Sequence, residues 1–165
     1  MHYQPKLTLR TGRLSGLEAL IGWPCGTQGY IPPAQFIPMA EESGLILPLG
    51  DWVLDAVCRQ IALWRRECAF EVPTAVNLSA VELCSRQMHE RIGRALQRHA
   101  APAQRLEVEI TESALMRDAG AALHCLRELS RLGVRVAIDD FGTGYSNLSQ
   151  LMRKDSGIPV LSALI

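Results

Sequence analysis

The chain has 165 residues, the length of about one domain, and is 48% hydrophobic and 21% charged, enough to bury a core. Seventeen basic residues balance seventeen acidic ones, which excludes a dedicated binder of nucleic-acid polymers or of membrane surfaces, both of which need a basic excess. The N-terminal MHYQPKLTLR has no apolar targeting core, no apolar run approaches a bilayer span, and the five cysteines are odd in number with no CxxC pair. Reduced thiols in a cytoplasmic protein, mostly filling the core, are therefore expected.

In chain order, Tyr3 to Leu9 alternates as a strand and Thr11-Gly12 marks a turn. Leu14 to Ile21 is a second strand, apolar except for Glu18. Trp23 to Pro33, rich in Gly and Pro, reads as a loop. Ala34 to Ser43 predicts a short helix entered through Pro33, disturbed at Pro38 and stopped at Gly44. Leu49 to Trp64 predicts an amphipathic helix with Leu49, Trp52, Val53, Ala56, Val57, Ile61 and Trp64 on one face. Thr74 to Leu78 is a short strand. Ser79 caps a helix expected to run to about Ala100, with Leu83, Met88, Ile92, Ala95 and Leu96 inward. Arg105 to Thr111 alternates as the fourth strand. Asp118 caps a helix carrying Leu123, Leu126, Leu129 and Leu132, and Gly133 ends it. Val134 to Ile138 is the fifth strand, and another helix begins at Ser146. Helices alternating with strands predict an α/β fold with a parallel sheet.

Strand alternation places the polar residues. Glu18 shares a face with Gly16, Asn77 lies opposite Val76 and Leu78, and Glu107 and Glu109 lie opposite Val108 and Ile110. Asp139 and Asp140 close the fifth strand. Two charges ending a buried strand need compensation, by an ion pair beside a turn or by a divalent metal, and that stretch alone leaves both open. The carboxyl ends of parallel strands form one rim, where ligands bind. Glu18, Asn77, Glu109, Asp139 and Asp140 should converge there. Oxygen donors without His or Cys suit Mg²⁺, Mn²⁺ or Ca²⁺, and adjacent aspartates suit the two-ion arrangement used in phosphodiester hydrolysis.

The motifs YQP (Tyr3 to Pro5), Glu18-Ala19-Leu20, PPAQFIPMAEESGLI (Pro32 to Ile46), VNLS (Val76 to Ser79), EITES (Glu109 to Ser113) and IDDFGTGYSNL (Ile138 to Leu148) stand in the order of the EAL family of cyclic-di-GMP phosphodiesterases, which the chain resembles over residues 3–151. The resemblance implies a TIM-like (β/α) barrel that hydrolyses cyclic-di-GMP to pGpG with Mg²⁺ or Mn²⁺. It implies Glu18, Asn77, Glu109, Asp139 and Asp140 as metal ligands, and Gln4 and Leu20 against the substrate. Glu112 would hold the loop Phe141 to Ser146, coupling metal binding to dimerisation.

Three departures shape the expectation. Gly22 stands where the family usually has an arginine that contacts a substrate phosphate. A full barrel has eight strands and typically about 250 residues; the chain offers about five, an incomplete barrel, with no counterpart for the family's catalytic lysine. Residues 152–165 form a divergent tail in which IPVLSALI is apolar enough for a strand or a packing segment. The expectation is a degenerate phosphodiesterase homologue, weak or inactive, its open edges covered by the tail or by a homodimer. The alternative is a non-catalytic nucleotide-binding or dimerisation module acting on intact EAL proteins.

Overall fold

The computed structural model describes residues 1–26, 29–85 and 87–139, and the backbone of 160–162. Its strands are β1 (His2–Leu7), β2 (Leu14–Leu20), β3 (Trp23–Pro24), β4 (Tyr30–Ile31), β5 (Thr74–Asn77), β6 (Leu106–Thr111), β7 (Arg135–Asp139) and β8 (Val160–Ser162). Its helices are α1 (Pro33–Glu42), α2 (Ile46–Cys68), α3 (Ala80–Leu83), α4 (Met88–His99), α5 (Glu112–Arg117) and α6 (Ala119–Leu132).

Six strands form one sheet in the order β1-β2-β5-β6-β7-β8. β1 and β2 are antiparallel, and every later pairing in this sheet is parallel, with helices joining the successive strands from β2 to β7. The expected alternation of helix and strand thus holds. The tail adds a strand rather than only packing: β8 pairs with β7, with Val136 opposite Val160 and Ile138 opposite Ser162.

One face of the sheet meets the helices. Val76, Leu106, Val108, Ile110, Val136 and Ile138 pack there against Val57, Ile61, Leu83, Met88, Ile92, Leu126 and Leu129 in one buried cluster. Burial on both faces explains the near-continuous apolar reading of β5 and β7. The caps read from the sequence are present. Asp118 Oδ1 accepts from the Ala121 amide at 3.0 Å, and Gly133 closes α6 at φ +82°. α1 begins at Pro33, and Gly44 follows it at φ +76°.

Several expectations need correction. The helix predicted from Ser79 to Ala100 is two. Ser79 and Glu82 form a capping box that starts α3, which ends after a single turn at Cys84, and the chain restarts as α4 at Met88. α2 is longer than predicted, and its inward face is shifted. Trp52 is 52% exposed, whereas Leu54 and Cys58 are buried. The loop at 23–33 contains the ribbon β3-β4. An additional helix, α5, starts directly after β6, capped by Thr111. Leu132 at the end of α6 is exposed. Cys58 and Cys125 do fill the core, and burial pushes their thiols up to about 12 and about 11. Cys68 is exposed.

Candidate functional site

The face of the sheet away from the helices carries the polar residues in layers set by register. Lys6 pairs with Gly16 in the lowest layer. Above it, Gln4 pairs with Glu18, Glu18 with Ala75, Ala75 with Glu107, and Glu107 with Arg135. The next layer aligns Asn77, Glu109 and Ala137, and the uppermost pairs Thr111 with Asp139. Strand alternation therefore located Glu18, Asn77, Glu109 and Asp139 on one face, as expected, but in three successive layers rather than in one ring.

Contacts bridge these layers. The Asn77 amide Nδ2 donates to Glu18 Oε1 at 2.8 Å, joining residues 59 positions apart. Glu109, buried at 7% exposure, is bound by the Lys6 ammonium, which also lies 3.3 Å from Glu107 Oε1. Burial pushes the Glu109 carboxyl above the ordinary carboxylate range. Lys6 opposes that push, while Glu18 and Glu107 add to it. Burial alone would lower the Lys6 ammonium, but its contacts with Glu109 and Glu107 outweigh this and hold it above its ordinary value. One ammonium thus serves two carboxylates, and its contact offsets only part of the burial cost at Glu109.

At the carboxyl ends of β2, β5 and β6 lies a cleft of about 540 Å³. Leu20, Asn77, Glu109 and Thr111 line it from the strands, and Ile37, Glu41, Leu49 and Val53 from α1 and α2. Gln4 is exposed and paired in register with Glu18. Glu112 is 5% exposed, and its Oε1 has no hydrogen-bond partner among the described residues. Asp140 and the loop Phe141 to Ser146 lie outside the described residues, as does the helix expected from Ser146.

The donor set of two carboxylates and an amide on neighbouring strands has the chemistry of a hard-cation site. Among the described residues, however, no three His, Cys, Asp or Glu side chains are gathered closely enough to hold a metal; Glu109 is taken up by Lys6. Two residues of this site were not singled out from the sequence. In the sequence Lys6 is one residue of a strand, and Glu107 shares a face with Glu109. The period-two pattern that selected Glu18 also selects Lys6, two residues after Gln4.

The family model of the EAL domain matches residues 1–155. The chain belongs to the EAL domain family. It is 46% identical over 153 residues to the bifunctional diguanylate cyclase/cyclic di-GMP phosphodiesterase MucR of Pseudomonas aeruginosa, covering 93% of this chain and 22% of that protein. It is also 46% identical over 153 residues to the cyclic di-GMP phosphodiesterase PdeR of Escherichia coli, covering 93% of this chain and 23% of that one. This EAL chain thus spans less than a quarter of the length of these relatives. It superposes on the solved PaMucR phosphodiesterase in its c-di-GMP complex with a TM-score of 0.87 at 45% identity, covering 96% of this chain and 63% of that one. The FimX EAL domain of Xanthomonas citri, solved with c-diGMP, gives a TM-score of 0.78 at 25% identity, with 92% and 58% covered. The sheet is thus the TIM-like EAL barrel in part, β1 being its antiparallel strand.

Proposed function

We propose that this EAL chain binds cyclic-di-GMP at the cleft above β2, β5 and β6, with Mg²⁺ or Mn²⁺, and that the 165 residues by themselves hydrolyse it to pGpG weakly or not at all. The observation that carries the binding half is the convergence of Leu20, Asn77 and Glu109 in one cleft, with Glu18 hydrogen-bonded to Asn77. The ligand is supported by relatives whose solved structures contain c-di-GMP. In this reading Glu18, Asn77, Glu109, Asp139 and Asp140 hold the cations, which would polarise the scissile phosphate, while Gln4 and Leu20 lie against the nucleotide. Glu112 would hold the loop after Asp140, which is supported by its buried Oε1, an acceptor with no hydrogen-bond partner among the described residues.

The weakness follows from residues. Gly22 supplies no charge where the family's arginine meets a phosphate. The chain's two lysines are Lys6, which is bound to carboxylates, and Lys154 in the tail. A missing preorganised group of this kind costs about 10²–10³ in rate. The chain is incubated with cyclic-di-GMP and Mn²⁺ and assayed for pGpG, with Glu18→Ala as the control. Rapid turnover abolished by Glu18→Ala refutes the weak-or-inactive half, and no calorimetric binding of cyclic-di-GMP in Ca²⁺ refutes the binding half.

A homodimer belongs to the same reading. The end strands β1 and β8 each pair on one side only among the described residues, and unpaired edges recruit partners. Light scattering is expected to give a dimer; a stable monomer refutes it.

A further inference from the structure

We propose that Lys6 is a built-in counter-cation of the rim: its ammonium holds Glu109 while no divalent cation does, and passes to Glu107 when one binds. This rests on the reading of Glu109 as a metal ligand. The path of Lys6 is built by its neighbours. Its stem runs over Gly16, where an added Cβ would stand 3.9 Å from Lys6 Cδ. Ala75 occupies the register position between Glu18 and Glu107, so no bulky side chain separates Lys6 from β6. Two small residues thereby let a side chain of the first strand cross to the fourth strand of the sheet.

The ammonium bridges two carboxylates there. It is bound closely by Glu109 and lies 3.3 Å from Glu107, whose side chain is only 14% exposed. Glu107 stands one layer below Glu109, nearer the amino end of β6 and further from Asn77 and the cleft. A divalent cation on Glu109 repels an ammonium in contact with the same carboxylate. Glu107 offers that ammonium a full counter-charge without sending it to water. Lys6 therefore competes with the metal, and Glu107 relieves the competition. The two residues should have opposite effects on metal affinity although neither is a ligand.

The test uses Mn²⁺ alone and the full chain, read by titration calorimetry. Lys6→Met is expected to lower the Mn²⁺ Kd about tenfold, because a close like charge leaves a partly buried site. The same variant melts at a lower temperature in EDTA, and Mn²⁺ raises its melting temperature more than it raises the parent's. Glu107→Gln is expected to raise the Kd severalfold, since Lys6 then has only Glu109 to hold. A merely structural role weakens binding in both. Equal or weaker binding by Lys6→Met overturns the proposal, as does unchanged binding by Glu107→Gln. Should Lys6→Met not fold, Lys6→Gln, which keeps a donor without the charge, is read in the same way. Glu109→Gln separates the two claims. Parent-like Mn²⁺ binding in that variant overturns Glu109 as a ligand, and the proposal with it. Lost binding there, with an unchanged Kd in Lys6→Met, overturns only the role of Lys6.

Discussion

Gly50 sits inside α2, where an alanine would ordinarily stabilise a helix by up to about 1 kcal/mol. The structure reverses that sign. A Cβ on Gly50 would stand 1.8 Å from Glu82 Oε1 and 2.9 Å from its Cδ, so the carboxylate must leave. That carboxylate is 3% exposed, and its Oε2 accepts from the Ser79 amide at 3.0 Å and from the Ser79 hydroxyl at 2.7 Å. Displacing it removes the reciprocal cap of α3, which is worth about 1 kcal/mol. It also removes hydrogen bonds to a charged acceptor, worth about 1.5–3 kcal/mol together with the partners left unpaired. Net of the helix gain, Gly50→Ala should destabilise by about 2–3 kcal/mol, or about 5–10 °C in melting temperature at this chain length. Denaturant unfolding measures it, with Glu82→Ala and the double variant completing a cycle. Once Glu82 is truncated the clash disappears, so the double variant should cost less than the sum of the singles by at least about 1 kcal/mol. Gly50→Ala at or above parent stability, or strict additivity, refutes the reasoning.

Thr74 is fully buried, and its Oγ1 has no partner among the described residues. Thr74→Val should therefore stabilise by about 1 kcal/mol, seen as a melting temperature raised by about 2–4 °C; a lowered one refutes it. Burial holds the Glu82 carboxyl above its ordinary 4.5, against the Ser79 hydrogen bonds and Arg91, with Asp51 adding to the rise. The folded state thus keeps that proton better than the unfolded state. Stability should fall as pH rises from 4.5 through the raised value, with a smaller slope in Glu82→Gln. An unchanged urea-midpoint slope contradicts this. Gly22→Arg should tighten cyclic-di-GMP binding by at least about tenfold through a charge-assisted phosphate contact. Its Cβ would meet Tyr30 Cε2 at 2.6 Å and His2 Nε2 at 2.8 Å, so it should also lower the melting temperature, and His2→Ala should recover part of that loss. No gain in calorimetric affinity refutes the phosphate reading.

The order of elements and the face of each strand were legible because both rest on short-range periodicity. Val108 and Ile110 against Glu107 and Glu109 is a local pattern, and the parallel sheet imposes no competing one. Less legible was whatever depended on contacts between elements. The break between α3 and α4 comes from a capping box that ends its helix after one turn, although the apolar spacing runs on through Leu83 and Met88. The C-caps of α2 and α4 are Ala69 and Ala100 at φ +49° and +53°, which carry no glycine signal. Trp52 was assigned inward because its spacing from Leu49 and Val53 fits a helix face, but that face turns toward Leu54 and Cys58 once α4 packs on it. At the site, alternation found the shared face but not the layers, because register is fixed by pairing across strands. Lys6 carries no signal in the sequence because a lone lysine on an edge strand is ordinarily a solvated side chain.

Zero net charge concealed a separation of charge. The inner face of the sheet carries Glu18, Glu107, Glu109 and Asp139 against Lys6 and the exposed Arg135. Much of the compensating positive charge lies on the helices instead. Arg91 binds Asp51, and Arg98 with His99 binds Asp55, so the α2-α4 contact is balanced within itself. None of that charge reaches the rim, since the apolar cluster between helices and sheet intervenes. Among the described residues, the inner face thus carries four carboxylates against two cations. Among the described residues, Lys6 is the cation that meets these carboxylates, bound to Glu109 and 3.3 Å from Glu107, so the charge balance of this face rests on one ammonium that crosses from β1 to β6.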